Sequence, residues 1–239
     1  MMDLPRIQRF GDRDLLVEWR SVISDHTHSC ILGLVEFLNS CDDKGIIEVT
    51  STYCSVAIYL SKMSNIELVG SLVKDWLAKE VNFVDSLPKR IIEIPVCYDQ
   101  VFGLDLEEMS QALELPISEI IRRHTAPFYR VYFLGFLPGF PYLGGLDNSL
   151  CVSRKITPRI LVEKGSVAIG GCQTGIYTFD SPGGWNILGK TPLSIFEVSH
   201  DSPALLSAGD FIKFKSISSE EYLNIERNIN NGVYKNTAR

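Results

Sequence analysis

The chain opens on two alternating apolar–polar runs, Arg6–Phe10 and Leu15–Trp19, around the polar turn Gly11-Asp12-Arg13-Asp14. Their period of two predicts a pair of strands. Between His26 and Leu38 the period lengthens. Cys30, Ile31, Leu34, Val35 and Leu38 share one helical face, and Asp25 stands where it could cap that helix. Ile46–Thr50 and Ser55–Leu60 are rich in β-branched residues and read as strands. A second helix is predicted from Asn65 to about Val81, with Ile66, Val69, Leu72, Val73, Trp76 and Leu77 as its apolar stripe. Arg90–Pro95 reads as another strand. The order β-α-β-β-α-β predicts an α+β protein whose residues 1–95 form a ferredoxin-like α/β domain, a scaffold shared by many functions.

Beyond Pro95 the pattern changes twice. Residues 96–127 read as a helical adaptor, with Leu106–Glu114 capped by Asp105, and Ile117–His124 capped by Ser118 after the break at Pro116. From 128 to 216, short apolar runs (Tyr129–Phe136, Ala168–Ile169, Gly175–Thr178, Leu193–Val198, Phe211–Phe214) alternate with glycine and proline turns. So many short strands need closure to remove their edges, which predicts a β-barrel. Residues 217–239 return to helix. Ser218 with Glu221 fits a capping box, Tyr222, Ile225 and Ile229 form its apolar stripe, and Lys235–Arg239 reads as a frayed tail.

Composition narrows the function classes. The 239 residues are 45% hydrophobic and 22% charged, an ordinary globular balance. No run approaches the ~18 apolar residues of a membrane span. Met1–Phe10 lacks a signal-peptide core, so a cytoplasmic location is expected. The net charge of −6, with no Lys/Arg block, argues against a nucleic-acid surface. Cys30, Cys41, Cys54, Cys97, Cys151 and Cys172 form no C-x-x-C pair and are expected to be reduced and mostly buried. His26 and His28 lie two apart on a helix and point in different directions, so no metal site is predicted.

Two segments carry most of the chemistry. Gly135–Asp147 (GFLPGFPYLGGLD) is dense in glycine and proline and holds Phe136, Phe140 and Tyr142. A loop held in one shape that presents aromatics is a candidate contact surface; equally, its rings could plug the barrel. Phe136, Pro138, Gly139, Phe140, Pro141 and Tyr142 are its candidate groove residues. Gly165–Pro192 sets Gln173, Thr174, Tyr177, Asp180 and Ser181 beside glycines, whose amides can form anion-binding concavities. Ser181, Pro182, Gly183, Gly184 and Trp185 are added to the groove. Within it, Gly184–Thr191 (GWNILGKT) matches the P-loop letters, but Pro192 and a β-rich run follow where a phosphate-binding helix should start. Arg159 and Lys190, with Gln173 and Tyr177, are the candidate anion or substrate contacts. His124 is the histidine nearest the glycine-rich loops and the candidate general base; the alternative is a hydrogen-bonded structural histidine at a helix end.

These segments resemble a known family. The residues that carry the likeness are Gly135-Phe136, Pro138–Leu143, Gly145-Leu146-Asp147, Thr157-Pro158-Arg159, Gly165-Ser166-Val167, Gln173–Tyr177, Ser181–Trp185, Gly189 and Thr191-Pro192. His124, Tyr129, Gly11-Asp12 and Ile94–Tyr98 fit the same pattern. The family is that of the ATP-dependent 5-oxoprolinase B subunits, also called allophanate hydrolase subunit 1, and it includes the KipI-type inhibitors of a sporulation histidine kinase. Four features depart from it: Ser153 for a usual proline, Glu163-Lys164 for Pro-Ala, Cys172 for glycine, and Lys190 for arginine. The last keeps the charge but loses the bidentate fork. The resemblance implies an N-terminal α/β domain, then a cyclophilin-like barrel, and a heteromer with the 5-oxoprolinase C and A subunits. It implies ATP as the cofactor of that complex, which opens 5-oxo-L-proline to L-glutamate. Kinase inhibition, or a role in allophanate or urea metabolism, are the alternatives the same resemblance leaves open.

Overall fold

The computed structural model describes residues 5–41, 45–79 and 90–234. They fall into two compact units, Met1–Pro88 and Lys89–Arg239.

In the first unit, β1 (Arg6–Phe10) and β2 (Asp14–Glu18) form a hairpin. Helix α1 (Asp25–Asn39) follows; its cap is Ser24, whose hydroxyl accepts from the Thr27 N–H, and not Asp25 as expected. Strands β3 (Ile46–Ser51) and β4 (Ser55–Leu60) precede α2 (Ile66–Ala78), which Asn65 caps through the N–H groups of Glu67 and Leu68. The residue predicted to end α2, Val81, lies outside the described residues.

The sheet is antiparallel in the order β1-β2-β4-β3. Strands β2 and β3 therefore run parallel with β4 between them, a split β-α-β around α1. The expected ferredoxin-like arrangement needs correction. The edge beside β2 is held by β1 through a hairpin, and the strand after α2 does not return to this sheet. Leu15, Val17, Val56, Ile58 and Leu60 alternate onto one face, where Ile31, Leu34, Leu38, Val69, Val73 and Trp76 cover them. Phe37 stacks on Trp76 at 6.0 Å and ties the two helices together.

That missing strand opens the second unit. β5 (Ile91–Cys97) pairs in parallel with the last strand over its whole length, so the boundary expected at Pro95 falls inside a barrel strand. Helices α3 (Leu106–Leu113) and α4 (Ile117–Thr125) follow. Asp105 stands at the α3 N-cap without a side-chain cap bond, and Pro116, not Ser118, precedes α4. Leu106, Met109 and Ile120 enter the barrel core, so these helices belong to the barrel and form no separate adaptor.

The remaining strands are β6 (Tyr129–Leu134), β7 (Pro141–Gly144), β8 (Arg159–Val162), β9 (Ser166–Gly170), β10 (Gln173–Ile176), β11 (Ser181–Gly183), β12 (Asn186–Lys190) and β13 (Phe211–Ile217). Six of them join β5 to close a seven-stranded barrel in the order β10-β7-β6-β13-β5-β12-β9, while β8 and β11 form a small antiparallel ladder of their own. The barrel interior is filled by inward positions such as Ile92, Ile94, Val96, Val131, Val167, Ile169, Leu188 and Phe214. Helix α5 (Ser219–Asn230) carries the expected capping box of Ser218 and Glu221, and buries Tyr222 against Cys97 and Ile217.

Leu193–Val198 is not a strand. Leu193 and Ile195 are buried as alternation requires, but the segment pairs only through the bridge Phe196–Ala204 and isolated backbone bonds such as Leu205 N–H to Ile195 O. The tail Lys235–Arg239 lies outside the described residues.

Candidate functional site

The β6–β7 connection is the first of the two chemical segments. It closes on itself: the Gly135 N–H reaches Phe140 O at 3.0 Å, and the Phe140 N–H reaches Leu137 O at 3.0 Å. Gly139 has φ +72°, and a Cβ there would meet Phe196 at 2.7 Å, so the turn demands glycine. Phe136 adopts φ 67° without being glycine and stands 67% exposed. Strain of this kind persists only where the surroundings hold it.

Phe140 points the other way. It is 2% exposed and makes edge-to-face contacts with Tyr142 at 5.4 Å and with Phe136, Tyr177 and Trp185 at 5.6 Å. The expected aromatic contact surface is thus divided. Phe140 is core, Tyr142 is half-buried and stacked on Phe133 at 4.3 Å, and Phe136 alone of the three projects. The loop's Pro138 is exposed while Pro141 is buried.

The second segment supplies the other rings of the cluster, Tyr177 and Trp185, with Val162, Ala168 and Ile187 around them. In the β8–β11 ladder, Ser181 faces Val162 and Gly183 faces Arg159, while Pro182 between them is exposed. A Cβ on Gly183 would lie 2.3 Å from the Tyr177 hydroxyl, so the missing side chain makes room for the phenol. Gly184 accepts the Lys155 N–H through its carbonyl at 2.7 Å. Tyr177 and Trp185 thus pack on Phe140, while Ser181 and Gly183 lie opposite Val162 and Arg159 in the small ladder.

Beside them sits a charged cluster. Asp105 is 2% exposed; its Oδ1 lies 2.6 Å from Arg159 Nη2 and 2.8 Å from Lys155 Nζ, and its Oδ2 accepts the Ile187 N–H at 2.7 Å. Burial pushes this carboxyl up, but the bonds from Arg159, Lys155 and Ile187 outweigh it and hold the group below the usual carboxylate range. Lys155 also reaches Glu108 at 2.5 Å. The second amino group of the guanidinium, Arg159 Nη1, is buried with no hydrogen-bond partner among the described residues. Arg154 lies over the Trp185 ring at 5.6 Å. Burial raises the Tyr177 phenol, against the pull of Arg154 and Arg159.

Two expected anion contacts stand apart. Lys190 closes β12 and is neutralised by Glu163 at 2.5 Å. Gln173 starts β10, opposite Gly170. The P-loop letters Gly184–Thr191 fall on strand β12 and the approach to it, with no helix after them.

His124 lies at the end of α4 and is fully buried. Its Nδ1 is 2.8 Å from the Tyr98 hydroxyl and its Nε2 is 2.9 Å from Thr174 Oγ1, while Phe214 stacks on the ring at 4.5 Å. Tyr129 donates its hydroxyl to the His124 carbonyl at 2.8 Å. Burial lowers the imidazole pKa to about 3, so the ring is neutral at physiological pH.

The cysteines depart from expectation. Cys151 and Cys172 form a disulfide, and only Cys97 of the four free thiols is buried. No group of three or more His, Cys, Asp or Glu among the described residues is placed to hold a metal ion. Sequence reasoning missed Asp105 as a site residue, together with Lys155, Arg154 and Tyr98. Asp105 reads locally as a helix cap, and its partner Arg159 lies 54 residues on, beyond any local pattern.

The carboxyltransferase domain family, subdomains C and D, matches residues 5–206. The 5-oxoprolinase B subunit of Bacillus subtilis is 36% identical over 228 residues, covering 91% of this chain and 95% of that protein. The Haemophilus influenzae protein of the same name is 40% identical over 173 residues, covering 72% and 80%. In fold, the chain superposes on the urea amidolyase of K. lactis with a TM-score of 0.77 at 21% identity, covering 97% of this chain and 16% of that one. The chain belongs to the carboxyltransferase subdomain C and D family, and within it to the group that includes the 5-oxoprolinase B subunits.

Proposed function

We propose that this protein is the B subunit of a cytoplasmic ATP-dependent 5-oxoprolinase, opening 5-oxo-L-proline to L-glutamate together with the A and C subunits and inactive without them. The observation that carries this reading is the likeness to the B. subtilis protein, which extends over 95% of that protein's length. The site supports it. The substrate is a lactam bearing a carboxylate, and Arg159, whose charge acts on the Tyr177 phenol, has a buried amino group with no hydrogen-bond partner among the described residues. In this reading Arg159 and Tyr177 receive the carboxylate, with Gln173 and Lys190 at the margins. An arginine fork suits a planar carboxylate.

The lactam amide is resonance-stabilised, and phosphorylation of its oxygen would make the carbonyl open to water. ATP serves at the level of the complex. His124, neutral and engaged at both nitrogens, positions β10 in this reading rather than abstracting a proton. Phe136, exposed at the tip of a closed loop, contacts the barrel of the C-subunit partner.

The test is co-expression with the A and C subunits followed by an ATP-dependent glutamate-release assay. Co-purification and release from 5-oxoproline support the proposal. The sequence likeness to the urea amidolyase of Saccharomyces cerevisiae, 27% identical over 260 residues covering 94% of this chain and 14% of that protein, favours one second reading, an allophanate- or urea-related substrate. Turnover of allophanate or urea in place of 5-oxoproline by the same complex would establish it and overturn the first.

A further inference from the structure

We propose that Cys151 and Cys172 are a reversible redox modification site, oxidised by low-molecular-weight disulfides of the glutathione class, that fastens the basic segment 152–159 to the β9–β10 hairpin. Cys172 is exposed at the hairpin turn and Cys151 is half-buried, so a small disulfide can reach the pair. The next residues already form a bridge: the Gly171 N–H donates to Val152 O at 2.8 Å, and the Val152 N–H to Gly171 O at 3.1 Å. The covalent link therefore closes a contact whose backbone is in place.

On one side the link is followed by Arg154, Lys155 and Arg159, which surround Trp185 and Asp105. On the other it is followed by Gln173 and by Thr174, the partner of His124. Three of the other thiols are poorer candidates. Cys97 is buried, and burial raises the thiols of Cys97, Cys30 and Cys54 and so depletes their thiolate.

The chemistry balances with the named oxidant. One cysteine thiolate attacks a sulfur of oxidised glutathione, breaking its S–S bond and expelling one glutathione thiolate. The second cysteine thiolate then attacks the mixed disulfide, forming the Cys151–Cys172 bond and expelling the other. Two electrons pass from the protein to glutathione, and the two cysteine protons end on the expelled thiolates.

The proposal does not rest on the oxoprolinase reading, and its test uses the full chain alone. The protein is equilibrated in glutathione buffers of graded ratio, trapped with iodoacetamide under denaturing conditions, and weighed. Parallel samples are treated briefly with trypsin. The expected result is a two-electron transition between forms carrying six and four alkylated thiols. Cleavage after Arg154 should be on the order of tenfold faster in the reduced form. The variant with Cys151→Ser and Cys172→Ser should cleave at the reduced rate in every buffer. A pair that keeps one state across the whole range, or cleavage that is indifferent to that state, would overturn the proposal.

Discussion

The Thr174 hydroxyl fixes the tautomer of His124. Its single proton goes to the Ala168 carbonyl at 3.1 Å, so toward the imidazole, 2.9 Å away, it accepts. His124 therefore carries its proton on Nε2, and its bare Nδ1 accepts from Tyr98 at 2.8 Å. The result is one directed chain, Tyr98 to His124 to Thr174 to Ala168, running from the end of β5 through α4 to the β10–β9 pair. Nitrogen NMR should show Nε2 protonated and Nδ1 bare from pH 5 to 8; the opposite tautomer would break this chain.

The same histidine makes stability depend on pH. Its folded pKa, about 3, lies below the 6.5 of a free imidazole. Its contribution is thus fully present above pH 6.5 and is lost as pH falls toward 3, where the unfolded chain binds the proton first. The slope is at most about 1.4 kcal/mol per pH unit. Urea denaturation of the wild type and His124→Gln at pH 7, 5.5 and 4.5 should show a gap that narrows with acid. A constant gap would contradict the assignment.

Asp105 and Arg159 should act as a unit. Asp105→Asn removes the charge that compensates Arg159 and Lys155, and should cost about 3 kcal/mol. The double variant with Arg159→Met should lose less than the two single losses added together, with a coupling of at least about 1 kcal/mol in a denaturation cycle. Strict additivity would mean that the pair is a surface contact.

Gly175 tests the aromatic cluster. A Cβ there would lie 2.8 Å from Phe140 Cζ. Gly175→Ala should destabilise by about 1–3 kcal/mol and alter the near-ultraviolet dichroism, because Phe140 must tilt away from Tyr177 and Trp185. An unchanged aromatic spectrum would show that the ring has free space.

Phe136 separates folding from association. Phe136→Gly relieves a left-handed φ while giving up one edge-to-face contact, so stability should change by less than about 1 kcal/mol. If the ring meets the C-subunit partner, affinity for that partner, measured by titration calorimetry, should fall about tenfold or more. Unchanged affinity would remove Phe136 from the interface.

The sequence made the elements legible wherever local period and capping decide them. The stripes of α1 and α2, the Ser218–Glu221 box and the β-branched runs all became the expected elements. It could not say which sheet a strand joins. Ile91–Cys97 alternates as any half-buried strand does, and only its parallel partner β13, more than a hundred residues later, places it in the barrel. Leu193 and Ile195 misled for a related reason: inward alternation is required of a core-filling loop as much as of a strand. In the site, Tyr177 and Trp185 stood out because glycines lie close to them in the sequence, while Arg159 entered through the Thr157-Pro158-Arg159 stretch of the family resemblance. Asp105 and the Cys151–Cys172 link were not, since each depends on a partner brought near by the tertiary fold.

The central claim is tested most directly by leaving this chain out. The A and C subunits with ATP and 5-oxoproline should release glutamate only when it is added, reaching a plateau at a fixed molar ratio, and the chain alone should release none. Equal release without it, or release by the isolated chain, would contradict the account.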